Sequence, residues 1–242
     1  MKLKKAIFKV GGSILENPEY LKNTINQFSQ LLKEKIINKI IIIPGGGKKA
    51  NFIRELDMEL NIGDTLAHWM AVYSMDTNGK EIVQKFPFIE ITDDIGKLKT
   101  NESNIIVFLT LKFLKNLDPL PHSWNVTSDS ISLYIANKLK FDNCYLIKDV
   151  DGIMNQDGEI IENVSTKDYN KLRNSGKIAK ISLNEPKIKQ STPIDNYLIK
   201  LIDSYKVSCL LLNGASKASR IYNYFAASKL KDKIFTKISF SY

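Results

Sequence analysis

Residues 39–44 read Lys-Ile-Ile-Ile-Ile-Pro, four β-branched side chains in a row, and three glycines follow at once. A strand with one face in water alternates apolar with polar residues, whereas a parallel strand covered on both faces does not. The run therefore predicts a strand buried between two layers of helix. Similar runs recur at residues 6–10 (Ala-Ile-Phe-Lys-Val, ending in Gly11-Gly12-Ser13), at 144–147 (ending in Lys148-Asp-Val-Asp-Gly152) and at 207–212 (ending in Asn213-Gly214). Stretches with helical period separate them, so the chain alternates strand and helix. That pattern is the mark of a mainly parallel α/β sheet with helices on both faces. In such sheets, glycine-rich turns at the carboxyl ends of strands are where ligands bind.

The helices can be placed from their ends. Asn17, Pro18 and Glu19 form a capped start, and Leu21, Ile25, Phe28, Leu32 and Ile36 give the following helix one apolar face. A second helix follows Gly45-Gly46-Gly47 through Ala50, Ile53 and Leu56. A long one covers Asp64–Lys85, stopped by Pro87, and is the expected interface of a homo-oligomer. Short strands are expected near 88–91 and 104–109, and the two prolines stiffen a loop over 118–124. A helix starting after Thr127 carries Ile131, Tyr134, Ile135 and Leu139, and Asn155-Gln-Asp-Gly158 reads as a hairpin turn. Residues 167–192 are polar and rich in Lys and Asn. Helices at 194–205 and 216–228 and a closing strand at 234–238 finish the chain, with neither repeat nor linker.

The 242 residues carry a net charge of +9, which favours anionic ligands. Only Arg54, Arg173 and Arg220 among the basic residues are arginines, and the lysines are scattered. Nucleic-acid readers lean on arginine forks, so no nucleic-acid partner is expected. Lys9 interrupts the first apolar run, no stretch approaches a membrane span, and Cys144 and Cys209 sit in apolar runs without metal-ligand spacing. A cytoplasmic protein with no membrane partner is expected. No G-x-x-x-x-G-K-[ST] occurs, which excludes a P-loop. Gly45-Gly-Gly47-Lys-Lys-Ala50 fits a dinucleotide fingerprint, but Pro44 precedes it, it is not on the first strand, and the acidic residue expected to follow is missing.

Three strand ends and one helix start carry the chemistry: Lys9-x-Gly11-Gly12-Ser13, Gly45-Gly46-Gly47, Lys148-Asp149-Val150-Asp151-Gly152, and Thr127-Ser128-Asp129. Glycines able to take φ > 0 expose consecutive N–H groups as a nest for phosphoryl oxygens, and a following helix adds its dipole. Phosphoryl transfer is mostly positioning and charge stabilisation, so nests, lysines and a metal are the parts it needs. Lys9 would neutralise charge on the transferred group, Asp129 would orient Lys9, and Arg54 would clamp an acceptor phosphate bidentately. A phosphate acceptor, with a second pKa of about 6, needs no general base at neutral pH. His68 beside Trp69 and His122 beside Trp124 are read either as structural or as lining an acceptor pocket.

In this order the motifs resemble the amino acid kinase family over nearly the whole chain. The resemblance implies one domain over residues 1–242, a three-layer α/β/α sandwich of the carbamate kinase-like kind. It places the acceptor on about residues 1–140 and ATP with Mg2+ on about residues 141–242. It assigns Lys9 and Asp129 to catalysis. Lys9, Gly11, Gly12, Ser13, Lys148, Asp149, Asp151 and Gly152 go to ATP, and Gly45, Gly46, Gly47, Arg54, Asn125, Thr127 and Ser128 to the acceptor. No metal ligand is named, and a homodimer or larger homo-oligomer is implied.

Within the family, three stretches are similar to the archaeal [5-(aminomethyl)furan-3-yl]methyl phosphate kinases of methanofuran biosynthesis, which convert a phosphate monoester to a diphosphate. They are Gly45 to Asp57, Ala67-His68-Trp69-Met70-Ala71 with Met75-Asp76, and Pro121-His-Ser-Trp124-Asn-Val-Thr-Ser-Asp129. Uridylate kinase, isopentenyl phosphate kinase and a non-catalytic ATP-binding storage or regulatory protein are the alternatives. The chain departs from the pattern twice. Asn125 stands where that branch has an acidic residue. In place of the Gly-Gly-Met-x-x-Lys segment of much of the family stands Lys187-Ile-Lys189-Gln-Ser-Thr-Pro193-Ile-Asp195, leaving Lys187, Lys189 and Lys148 as sources of the second positive charge.

Overall fold

The apolar runs form buried parallel strands, as their lack of alternation requires. The computed structural model describes residues 5–100, 103–179, 193–229 and 232–241. Strand β1 (Lys5–Val10) leads through helix α1 (Gly12–Glu16) into α2 (Pro18–Lys33), β2 (Lys39–Pro44), α3 (Gly47–Leu60) and α4 (Asp64–Lys85). Next come β3 (Glu90–Thr92), α5 (Lys97–Thr100), β4 (Ile105–Phe108), α6 (Leu111–Leu117), α7 (Ser128–Lys138) and β5 (Asn143–Lys148). The chain ends with β6 (Asn163–Ser165), α8 (Thr166–Asn174), α9 (Leu198–Tyr205), β7 (Ser208–Asn213), α10 (Arg220–Ala226) and β8 (Thr236–Ser239).

The eight strands form one sheet in the order β3-β4-β2-β1-β5-β7-β8-β6, with β7–β8 as its antiparallel pair. β1 pairs with β2 from Lys5↔Lys39 to Val10↔Pro44 and with β5 from Phe8↔Tyr145 to Val10↔Ile147. From β1 the chain builds outward on one side through β2, β4 and β3. It then crosses to the other side through β5, β7, β8 and β6. The crevice at this reversal lies beside the carboxyl ends of β1, β2 and β5, where the glycine turns are.

Alternate residues of each central strand feed two separate cores. Ile7, Ile41, Ile43, Cys144 and Leu146 pack with Ile131 and Ile135 of α7 and Leu198 and Ile202 of α9. Ala6, Phe8, Val10, Ile40 and Ile42 pack instead with Leu21, Ile25 and Phe28 of α2 and Ile221 of α10. The three-layer sandwich expected from the sequence is therefore the observed one. No helix among the described residues is long and apolar enough to cross a membrane.

Local signals placed some helices well. Asn17 Oδ1 accepts from the Glu19 and Tyr20 amides at 3.0 and 3.3 Å, and α4 has the expected limits. Other elements depend on distant partners and were not expected. The start of α6 is held by Asp76 of α4, whose Oδ1 accepts from the Thr110 and Leu111 amides at 2.7 and 3.3 Å. Helix α8 lies in the polar stretch from residue 167, with Tyr169 buried and Thr166 Oγ1 donating to Asp203 Oδ1 at 2.6 Å. Helix α10 begins later than expected because Asn213 Oδ1 first ties up the Ala215 and Ser216 amides, at 2.8 and 3.0 Å.

Gly11 and Gly12 correct an expectation. Gly11 has φ −65°, and neither glycine is in the left-handed region, which here is taken by Gly47 at φ +59°. The first pair is glycine for want of space. A Cβ on Gly11 would lie 2.8 Å from the Ile147 carbonyl oxygen, and one on Gly12 would lie 2.6 Å from Gly47 Cα. The two glycine turns thus press directly against each other. Gly12→Ala must push these backbones apart and is expected to cost about 1–3 kcal/mol in urea unfolding. Wild-type stability in that variant would show that the turns are not in fixed contact.

Candidate active site

At the base of the crevice, Lys9 Nζ lies 2.8 Å from Asp129 Oδ1, both side chains being buried. Asp129 sits in the first turn of α7, where Thr127 caps the helix by accepting from the Asp129 amide at 3.3 Å. A second ammonium reaches the same carboxylate: Lys148 Nζ donates to Oδ1 at 2.9 Å and to Oδ2 at 2.8 Å. Burial pushes the Lys9 ammonium down to a pKa of about 8, with the charge of Lys148 adding to the effect and Asp129 opposing it. Burial alone would push Asp129 up, but Lys148 and then Lys9 outweigh it and hold the carboxyl at about 2. For Lys148 the burial penalty is overcome by the Asp129 carboxylate, and its pKa rises.

A partly buried carboxylate from further along the chain, Asp195, holds this arrangement. Asp195 Oδ2 accepts from the Thr127 amide at 2.9 Å, the Thr127 hydroxyl at 2.8 Å and the Ser130 amide at 3.0 Å. Its Oδ1 accepts from the Ser130 hydroxyl at 2.6 Å and the Leu198 amide at 2.8 Å. Asp195 therefore fastens the amino end of α7 to that of α9 and fixes the position of Asp129. Sequence reasoning missed this role. The one signal was an Asp three residues before an apolar helix.

Above the ion cluster lies a cleft of about 780 Å³, whose walls include Gly11, Gly12, Ser13, Gly46 and Gly47. Asn78 of α4 secures the second glycine turn by donating from Nδ2 to the Gly45 and Gly46 carbonyls at 2.7 and 2.9 Å. Glu16 Oε1 accepts from the Lys48 amide in the first turn of α3. Thr127, Ser128, Lys148 and Asp149 also face the cleft.

Other candidates are placed differently. Asp151 accepts from Asn213 Nδ2 at 3.0 Å and Arg220 Nε at 3.2 Å, and a Cβ on Gly152 would lie 2.5 Å from Thr236 Oγ1. Both shape the turn after β5. Asn125 turns its amide oxygen to Asn196 Nδ2 at 3.1 Å and is not part of the cleft wall. Lys187 and Lys189 lie outside the described residues.

The far wall is aromatic. The Arg54 guanidinium lies 4.6 Å from the Trp124 ring centroid, while Trp124 Nε1 donates to Asp57 Oδ2 at 2.8 Å. Among the described residues Arg54 Nε is buried without a hydrogen-bond partner, an unspent donor at the cleft wall. His68 stacks on His122 with centroids 4.5 Å apart, and His122 is held by Thr65 Oγ1 and Asp118 Oδ1 at 3.0 and 2.7 Å. Burial lowers the pKa of His68 to about 4, so it meets the cleft as a neutral imidazole.

Known proteins share this framework. A sequence profile described as the amino acid kinase family matches residues 4–190. The chain is 32% identical over 234 residues to [5-(aminomethyl)furan-3-yl]methyl phosphate kinase from Methanocaldococcus jannaschii, covering 96% of each chain. It is 26% identical to acetylglutamate kinase from Pelagibacter ubique, covering 85% of this chain and 83% of that one. Among solved structures, UMP kinase from Ureaplasma parvum superposes with a TM-score of 0.66 at 16% identity, covering 99% of this chain and all 100% of the other. Uridylate kinase from Archaeoglobus fulgidus gives 0.64 at 17% identity, over 98% of this chain and 100% of that one; at such identities these two show the fold alone. The ion cluster, the paired glycine turns and the sequence likeness agree: the chain belongs to the amino acid kinase family and is a phosphotransferase.

Proposed function

We propose that the protein transfers the γ-phosphoryl group of ATP to a small phosphate monoester, [5-(aminomethyl)furan-3-yl]methyl phosphate, giving the diphosphate. The observation that carries this reading is the Lys9–Asp129 pair at 2.8 Å beneath two glycine turns in contact with each other. Two anions brought to adjacent turns would meet over one buried positive charge. The sequence likeness over 96% of the furan phosphate kinase supports this choice of acceptor.

In this reading ATP lies along the half from β5 onward, with Gly11, Gly12, Ser13 and Asp149 around its phosphates. The acceptor lies in the half before β5. Gly46 and Gly47 would hold the acceptor phosphate, joined by the unspent Nε donor of Arg54. Because the Arg54 guanidinium covers one face of Trp124, the indole serves to stiffen the arginine rather than to stack on the substrate from that side. Magnesium would shield the charge of the nucleotide phosphates. Among the described residues no group of three or more His, Cys, Asp or Glu side chains could hold a metal. Its ligands would therefore be phosphate oxygens, with Asp149 orienting its water shell. A homo-oligomer is also proposed. Helices α3 and α4 bear Phe52, Met58, Leu60, Leu66 and Tyr73, most of the large apolar side chains exposed among the described residues. A monomeric mass in sedimentation would exclude it.

An acceptor screen with Mg-ATP tests the function directly. The furan phosphate should release ADP faster than nucleoside monophosphates or isoprenoid phosphates do. Tight ATP binding without acceptor-dependent ADP release would mean a storage or regulatory protein instead. Lys9→Ala should lower kcat by about 10²–10³ while the fold persists. Asp129→Asn should lower kcat more than ATP affinity, and equal losses in both would make the role of Asp129 only structural.

The pH profile follows from the same pair. Lys9, at about 8, is charged below that pH and neutral above it. The acceptor is a dianion above about 6. Therefore kcat/KM for the monoester should rise through about pH 6 and fall through about pH 8. An alkaline limb at the ordinary lysine value, about 10.4, would show that Lys9 is not the titrating group.

A further inference from the structure

We propose that Lys148 is a second catalytic cation, the one that first meets the transferred phosphoryl group, and that Lys9 lies behind it. This rests on the phosphoryl-transfer reading but not on the identity of the acceptor.

Strand register brings the two lysines together. Lys9 of β1 pairs with Leu146 of β5, so their side chains share a sheet face, and Lys148, two residues on, shares it too. Helix α7 covers that face and presents Asp129 to both ammoniums. Lys148 stands one pleat nearer the cleft. Its side chain is 15% exposed against 5% for Lys9, and Lys148, not Lys9, is part of the cleft wall. Its stem passes over Gly11, where a Cβ would come within 3.6 Å of Lys148 Cδ. A ligand seated on the glycine turn therefore meets the Lys148 ammonium first.

Charge balance points the same way. Two ammoniums, Lys9 buried and Lys148 partly exposed, share one carboxylate, so Asp129 alone does not neutralise both. The next carboxylate, Asp195, also attracts Lys148, but its oxygens are held by Thr127, Ser130 and Leu198 and form no ion pair with Lys148 among the described residues. A cation at the edge of a cleft that shares its carboxylate with a second cation is suited to an incoming anion. During transfer an acceptor phosphate oxygen bonds to the γ-phosphorus as the bond from that phosphorus to the β,γ-bridging oxygen breaks. ADP departs with the electron pair of that bond. In that step negative charge is spread over the oxygens of the transferred phosphoryl group, and Lys148 stands to offset it there.

The test compares Lys148→Met, Asp129→Asn and the double variant, using whichever monoester the wild type accepts. Lys148→Met should lower kcat by about 10²–10³, with a change in KM for ATP of less than about tenfold. The loss should persist by at least about tenfold in the Asp129→Asn background, because a cation that only neutralises Asp129 has nothing left to do there. Removing it should also move the alkaline limb of kcat/KM upward, since Lys148 helps to depress Lys9, which otherwise faces Asp129 and the Cys144 thiol. Calorimetry gives a readout without an acceptor: Lys148→Met should weaken ATP binding but not ADP binding. If Lys148→Met does not fold, Lys148→Gln, which keeps an N–H for Asp129, takes its place. A kcat within about threefold of wild type, a loss that vanishes with Asp129→Asn, or equal weakening of ATP and ADP would overturn the proposal. If the wild type uses no monoester, the acceptor reading fails, while the ATP-against-ADP comparison still decides the role of Lys148.

Discussion

One carboxylate shared by two ammoniums sets the terms for the rest of this molecule. Taking three charges out of water costs several kcal/mol for each, and the cost is offset only if their geometry is held rigidly. Each supporting feature serves that geometry. β1 and β5 are adjacent parallel strands, which fixes the spacing between Lys9 and Lys148. Helix α7 packs across them through Ile131 and Ile135 and ends with its first turn over the strand ends. Asp195 then ties that first turn to α9, so the carboxylate cannot drift toward either lysine. Loosening any of these would leave an uncompensated charge in the interior.

The glycine turns solve a different problem, that of space. β1 and β2 end side by side, and each must turn into a helix without blocking the other. Gly12 and Gly47 meet at backbone contact distance, Gly46 lies under Ala50 and Ser74, and Gly11 lies under the Lys148 stem. Backbone N–H groups and the start of α3 are thereby left facing one volume. Glu16 also faces this volume, its carboxylate sitting at the Lys48 amide. A side-chain oxygen resting there shows that the start of α3 accepts negative charge, as helix dipoles and unpaired amides favour.

The aromatic wall of the cleft is stiff. The Asp57–Trp124 hydrogen bond braces the indole, the indole braces the guanidinium, and the stacked pair His68 and His122 ties α4 to the loop that carries Trp124. Burial keeps His68 neutral, so it meets the cleft without adding a fixed charge. This part of the chain shares its sequence likeness with the furan phosphate kinase, which covers 96% of both proteins.

Much of this could be read from the sequence, for a physical reason: burial on both faces writes itself as uninterrupted apolar runs. Residues 39–44 alone specify a central parallel strand, and capping residues such as Asn17 specify a helix end within a few positions. The motif order carried the family, and with it the Lys9–Asp129 pairing. What the sequence could not carry was anything set by partners far apart in the chain. Asp76 starting α6, Asp195 holding α7, and Asn125 turning to Asn196 each depend on elements brought together only by the finished fold. Register is the clearest case. That Lys148 joins Lys9 on one carboxylate follows from β5 lying beside β1, a neighbour relation between residues 139 positions apart that no local pattern encodes.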